Sequence, residues 1–498
     1  MKTKNFSVFK KLFASFVITI FCIIAINSYF QSGYAEVVPA NTPDTSISLL
    51  YSPTPNTCVY FQNTDHALEV IRIKGEKPGL TVLIFGGIHG DEPGGYFSSE
   101  MLSKVRMIKG NLIIVPRVNF PSIMLYKRDL YGDLNRKFND EKPGDPDAEV
   151  VKILKELMKE ADVFINQHDA YGFHREKYIS PKYNPKMYGQ SLIIDCSNFY
   201  SEKLKKQIDL AAAGNRILER VNSQIDNKDY YFGFWDHDSL AKNTKFPEMK
   251  KSATYFALTT FSIPAFGLET SKDLPNLSHK VKYQLIVIRE ILHEFELDAI
   301  FPAMEIEDPV LYWVEFLKND SDIIRVNGNT NLRLLAGDRI SVKKIYSNYE
   351  NGLSADILNW GNINDADRNY TFSNQAVIRV RKNHLVMGAI SLKPYLKDSI
   401  REISIEVDNK TISIPNWGVI SLPKVGKMKI QGTTPSVPGM RFDVRGFANP
   451  GSGDDSNIMI DPSALIPKYS FLEKGKIYFV KIYKGSVLQG GFQLEIVD

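Results

Sequence analysis

The 498-residue chain has only three cysteines, and one of them, Cys22, lies within an apolar run near the N-terminus with no small-residue lipid-attachment context before it. The remaining pair, Cys58 and Cys196, excludes a disulfide-rich scaffold and a cysteine-built metal knuckle, while one bridge between them stays open in an oxidising compartment. An excess of charge is missing too. Lys and Arg number 61 against 57 Asp and Glu, and Lys2, Lys4, Lys10 and Lys11 sit in the first 35 residues without an acid, so the formal +4 vanishes beyond that point. A balanced surface gives no electrostatic capture of a polyanion, and nucleic acid is not an expected partner. Long hydrophobic runs are absent apart from LFASFVITIFCIIAI. Behind its four lysines and ahead of Gly33-Tyr34-Ala35, this run reads as the core of a secretory signal peptide over residues 1–35; an uncleaved anchor is the alternative, though the run is short for a bilayer. Either way the rest of the protein is expected outside the cytoplasm, with no stable membrane insertion once the signal is removed.

What is present is a change of texture along the chain. From about Ile47 to Pro302, apolar runs such as TVLIFGG, NLIIVPRVN, ADVFINQHD, SLIID and PAFGLET alternate with the helical patterns PGGYFSSEMLSKV, DAEVVKILKELMKE, SEKLKKQIDLAAAGNRILERVNSQI and NLSHKVKYQLIVIREILHEFEL. Near-continuous apolar strands between amphipathic helices predict an α/β unit with a mostly parallel sheet covered on both faces. Beyond Pro302, short β-rich segments separated by Gly, Asn, Asp and Pro turns predict two small all-β domains, a barrel-like one over 303–400 and an immunoglobulin-like sandwich over 401–498.

Within the α/β unit, FGGIHGDEPGG places His89 and Glu92 three residues apart in a glycine-rich loop after an apolar strand. Zinc that must activate water takes three protein ligands and keeps one position open, and two histidines with one glutamate are a known set. His168, at the carboxyl end of FINQHD, is the best third ligand, because open α/β sheets gather their ligands at that edge. His174 lies six residues further on, beyond that edge, and His66, His237, His279, His293 and His384 read as structural or surface residues. In DLNRKF, Asn135 and Arg136 stand side by side, a pair suited to gripping a carboxylate. Glu269 in FGLETSK is a strand-end carboxylate able to move a proton beside a metal-activated water.

The ordered set of HGDE, DLNR, a strand-end histidine and FGLETSK resembles that of the zinc carboxypeptidases of the carboxypeptidase A-like fold, over residues 47–302. The resemblance implies Zn²⁺ on His89, Glu92 and His168, Glu269 as general base, Arg128 as the arginine that stabilises the oxyanion, and Asn135 with Arg136 as the grip on the substrate's terminal carboxylate. It leaves the family's substrate-covering tyrosine unassigned between Tyr255 and Tyr231. The layout of signal peptide, catalytic domain and two β domains, with stretches such as HDAYGFH and YNPKMYGQSLIID, is similar to that of the peptidoglycan D,L-carboxypeptidases that set helical cell shape. That implies a periplasmic enzyme removing terminal meso-diaminopimelate from a muropeptide tripeptide. FGFWDHDS, read as a loop, offers Trp235 and Asp236 for the zwitterionic end of diaminopimelate, or else is an ordinary loop with a buried tryptophan. Three rivals remain open: an amide hydrolase of the succinylglutamate desuccinylase or aspartoacylase type, a secreted L-peptide carboxypeptidase, and a non-catalytic wall-binding protein.

Overall fold

A strand that is apolar on both faces, like TVLIF, can be satisfied only in the middle of a covered sheet, and that is where the chain puts it. The computed structural model describes residues 56–497 apart from 63, 141, 359, 361, 397, 398, 450–452 and 472–474, so the expected signal segment lies outside the described residues. Nine strands form the main sheet: β1 (Asn56–Tyr60), β2 (Leu68–Lys74), β3 (Lys77–Phe85), β4 (Arg106–Val115), β5 (Val163–Ala170), β6 (Ser191–Ile194), β7 (Gly233–Asp236), β8 (Ala265–Ser271) and β9 (Asp298–Ile300). Their order is β1-β2-β4-β3-β5-β8-β6-β7, with β9 paired to β4. The central strands β4, β3, β5 and β8 run parallel, while β1, β2 and β9 join antiparallel at one side and β6 pairs antiparallel to β8. Val82, Leu83, Ile84 and Phe85 of β3 are all fully buried.

Helices α1 (Pro93–Leu102), α2 (Phe120–Leu125), α3 (Ala148–Glu160), α4 (Leu210–Asn222), α5 (Ala253–Phe261) and α6 (Leu277–Glu294) accompany the sheet. In α3 the apolar residues at helical spacing, Val150, Val151, Leu154, Leu157 and Met158, are the buried ones, as an amphipathic surface helix requires. Two expectations change. The helix expected from Ser201 begins only at Leu210, where Asp209 caps it by accepting from the Ala212 amide at 2.8 Å; the residues before it form a β-hairpin, Asn198–Ser201 against Lys206–Asp209. FGFWDHDS is not a loop throughout, since Gly233–Asp236 is strand β7, parallel to β6. Cys58 is exposed, Cys196 is buried, and both are free thiols.

After the α/β unit, one core including Val314, Phe316, Ile378 and Ile390 lies within two four-stranded sheets, and a second core including Ile403, Ile430, Val480 and Leu494 lies within two more. The unit expected to be barrel-like thus has its strands in two four-stranded sheets around one core. No helix among the described residues is long and apolar enough to cross a membrane.

Candidate metal centre and substrate cavity

The chain leaves β3 at Phe85 and reaches α1 at Pro93 through the GGIHGDE loop, whose glycines have identifiable work. Gly87 adopts φ 67°, and a Cβ on Gly90 would stand 2.1 Å from the Ser122 carbonyl carbon in α2. Any side chain at position 90 would push the loop off α2 and move the residues on either side. His89 and Glu92 are thereby turned inward and buried, with 2% and 3% of their surface exposed.

Strand β5 supplies His168. Its parallel partner β8 sets Glu269 directly opposite His168 in the register, so the two carboxyl-end side chains share one face of the sheet. Beneath them, Gln284 of α6 donates to the His168 carbonyl at 2.8 Å, and Gln167 donates to Gln284 at 3.0 Å, tying the strand to the helix behind it. The carboxylate of Asp169 accepts from the Gly94 amide at 2.8 Å and from the Thr270 hydroxyl, which fixes the start of α1 against β5 and β8.

His89 Nδ1 lies 2.9 Å from one Glu92 carboxylate oxygen, His168 Nδ1 lies 2.9 Å from the other, and the two nitrogens are 3.2 Å apart. Asp133 accepts from His89 Nε2 at 3.0 Å, which leaves the Nδ1 lone pair of the neutral ring facing the other two donors. Three lone-pair-bearing atoms this close repel unless a proton or a cation lies between them. The spacing approaches the edge of roughly 3.3 Å expected for a tetrahedron with bonds of about 2.0–2.1 Å, and two imidazoles with one carboxylate are a donor set suited to zinc. The residues fit a metal, and they form a group able to hold one.

Because metal ligands must be deprotonated, a proton and a cation compete for this cluster. Burial disfavours the His89 imidazolium, but Glu92 and Asp133 outweigh it and hold the group up at about 8. Burial likewise works against the Glu92 carboxylate, yet His89 and His168 hold it well below its ordinary range. Burial lowers His168. Glu269 goes the other way, raised well above the usual carboxylate range by burial and by the Glu92 and Asp169 charges, and its Oε2 is buried with no hydrogen-bond partner among the described residues. A cation on the three ligands would oppose that rise.

A cavity of about 530 Å³ opens on this cluster, with the three ligand residues, Glu269, Arg128, Asn135 and Arg136 all on its wall. Arg128 donates to Glu92 at 3.0 Å and to Asp133 at 3.1 Å, while its side chain remains 47% exposed. The side-chain oxygen Oδ1 of Asn135 accepts from the Ala253 amide at 3.0 Å and from the Asn166 side chain at 3.4 Å, and its side-chain nitrogen Nδ2 makes no bond among the described residues. Among the described residues Arg136 donates only to the Asn135 backbone carbonyl and the Met249 sulfur, and forms no ion pair.

Trp235 and Asp236, expected at this wall, are not on it. Trp235 stacks behind, between the rings of His174 at 4.6 Å and Tyr188 at 4.3 Å. Asp236 accepts from Ser197 at 2.5 Å and from the Asp238 amide at 2.8 Å, so it shapes the turn after β7. Tyr188 and His237 line the cavity instead, and neither Tyr255 nor Tyr231 does. Both ring nitrogens of His237 are buried without a partner among the described residues. Sequence reasoning also passed over Asp133, although it opens the DLNR motif; Tyr188, within KMYGQ, had no signal that distinguished it from other loop tyrosines.

The family of catalytic domains described as carboxypeptidases controlling helical cell shape matches residues 59–302, and that of the metallo-carboxypeptidase C-terminal domain matches residues 396–496. The tripeptide-bound cell shape determinant Csd4 of Helicobacter pylori superposes with a TM-score of 0.55 at 22% identity, covering 86% of this chain and 100% of that one. The mDAP-bound form of the same protein, described as a D,L-carboxypeptidase, gives 0.53 at 21% identity, with coverage of 84% and 97%. A succinylglutamate desuccinylase/aspartoacylase from Rhodobacter sphaeroides gives 0.33 at 17% identity, with 50% and 67% covered. No curated protein matches the chain.

Proposed function

The chain belongs to the family of carboxypeptidases that control helical cell shape, and from that premise we propose that it is a zinc-dependent peptidoglycan D,L-carboxypeptidase of the periplasm, removing meso-diaminopimelate from muropeptide tripeptides to leave dipeptides. The observation that carries this reading is one cavity in which a metal-ready triad meets a buried carboxylate and an arginine, Glu269 Oε2 having no hydrogen-bond partner and Arg136 no acid among the described residues. The tripeptide- and mDAP-bound relatives support the choice of substrate. Exported location rests on residues 1–35 as a signal peptide, and the domain limits 47–302, 303–400 and 401–498 are part of the same proposal.

Zinc, when bound, polarises a carbonyl and lowers the pKa of water towards about 7. His89, Glu92 and His168 would hold it. Arg136 and the side-chain nitrogen Nδ2 of Asn135 bind the terminal carboxylate, which restricts attack to the last peptide bond and makes the enzyme an exopeptidase. Glu269 takes the proton from the attacking water and returns it to the leaving amine, a transfer suited to a carboxylate whose pKa is raised. Arg128, exposed above the cluster, faces the carbonyl oxygen as it becomes negative, where one donor contributes roughly a hundredfold or more.

The test is mass analysis of isolated muropeptides before and after incubation with the purified, zinc-loaded protein, with Glu269→Gln as control. Diaminopimelate released from tripeptide by the wild type and not by the variant is the expected result. Release of acyl groups from small N-acylated amino acids with muropeptides untouched would replace the wall reading by the desuccinylase-type one.

A further inference from the structure

The first β unit meets the α/β unit through the turn between two of its strands, β10 (Ala376–Lys382) and β11 (Leu385–Pro394). Asn383 turns the chain at φ 53°, a left-handed position that Asn tolerates. The turn is polar, yet Lys382 and Asn383 are fully buried. Lys382 donates to the Glu100 carboxylate of α1 and, at 2.6 Å, to the Asn351 carbonyl. Arg117, just after β4, donates to Asn383 at 2.8 Å, to Glu69 of β2 at 2.8 Å and to Glu100. Two cations and two carboxylates balance, which is the condition for burying such charges, and removal of any one would strand the others. The turn is therefore seated in one place.

His384 occupies the other side of that seat. Its Nδ1 lies 2.8 Å from the Tyr96 hydroxyl, and its ring stacks on Tyr126 at 4.5 Å and 22°. Burial lowers its pKa to about 4, so the ring is neutral. Both partners lead directly to the metal loop. Tyr96, fully buried, is one turn along α1 from Glu92, which stands at that helix's N-cap. Tyr126 is the left-handed C-cap of α2, two residues before Arg128. The Arg128 carbonyl accepts from the Gly90 amide at 3.1 Å, next to His89, and its guanidinium holds Glu92 and Asp133.

We propose that His384 of the first β unit is a positioning residue for the reaction, clamping α1 to the Tyr126–Arg128 turn so that His89 and Glu92 keep the separation at which they share one ion. The β unit is then a working part of the active site, although it contributes nothing to the cavity wall. The inference rests on the metal reading above.

The experiment uses the full chain with His384→Ala, His384→Asn and Tyr96→Phe. Zinc affinity is read by competition with a chromophoric chelator, and kcat and KM with the muropeptide tripeptide. His384→Ala should lower zinc affinity and kcat each by about tenfold while KM stays within about twofold, a loss of the size seen when the support of a metal ligand is removed. Tyr96→Phe should show a smaller loss of the same kind, and His384→Asn, which keeps a polar group near the Nδ1 position, should recover part of it. Zinc affinity within about twofold of wild type in both His384→Ala and Tyr96→Phe would overturn the proposal, as would losses that merely follow the fraction of folded protein. Should His384→Ala fail to fold, Tyr96→Phe, which removes one oxygen atom, decides by the same criterion. Chelator competition needs no substrate, so a wild-type protein that binds zinc but leaves the tripeptide intact would refute the wall reading and leave this test in force.

Discussion

The two ends of the cavity are built on opposite plans. At the metal end the ligands and their supports already hold one another, with Glu269 beside them: His89, His168, Glu92, Asp133 and Arg128 form one closed set of contacts at 2.9–3.2 Å. At the other end, among the described residues, Arg136 has no acid, the Asn135 side-chain nitrogen makes no bond, and both ring nitrogens of His237 lack a partner. Burial, with the Arg136 and His174 charges, lowers His237 to about 4, so it is a neutral donor and acceptor rather than a cation. A pre-assembled end suits an ion that must be held in one geometry. The end left unsatisfied suits a substrate that brings its own carboxylate and supplies the missing partners on arrival.

That contrast can be broken most completely at His168. His168→Ala should abolish zinc retention in chelator competition and reduce turnover to background, because two remaining ligands do not close the site; retained zinc would dissolve the distinction between the ends. Next comes Glu269→Gln, expected to lower kcat by roughly 10²–10⁴ with zinc affinity nearly unchanged, separating proton transfer from metal holding. Arg136→Ala should cost about 10–100-fold in kcat/KM, the scale of a lost hydrogen bond to a charged group. A tripeptide with an amidated C-terminus should be cleaved equally poorly by wild type and this variant; a further loss on the amide would mean that Arg136 supports the fold instead of the carboxylate. The smallest effect belongs to Asp236→Ala. Since Asp236 lies off the cavity wall, the ratio of kcat/KM for diaminopimelate-ended and lysine-ended tripeptides should change by less than about twofold.

How far each part was legible follows from how local its signal is. HGDEPGG, the histidine ending FINQHD and the glutamate in FGLETSK each sit where an apolar strand ends, and a parallel sheet collects such ends at one edge, so the register of Glu269 with His168 was within reach. Asp133 was equally close in sequence but was passed over, because a carboxylate that orients a ligand looks like any other loop acid until the ring it touches is placed. At FGFWDHDS, the residue that lines the cavity is a neighbour of the two expected there. Trp235 and Asp236 stand on β7, and the wall residue is His237 just past its end, a difference that depends on where the strand stops. The helix expected from Ser201 failed because Asp209 offered a cap eight residues later, and the hairpin before it took the remaining backbone hydrogen bonds.

From the amino-acid order alone came the chemistry available at each strand terminus and the class of architecture, because periodic burial and short motifs act over a few residues. Folding decided which of those groups touch. It alone set Asp133 on His89, Tyr188 and His237 on the wall, and the Lys382–His384 turn against α1, 282 residues away from its Glu100 partner. Contacts across such separations are fixed by how whole sheets pack, and no local pattern encodes them.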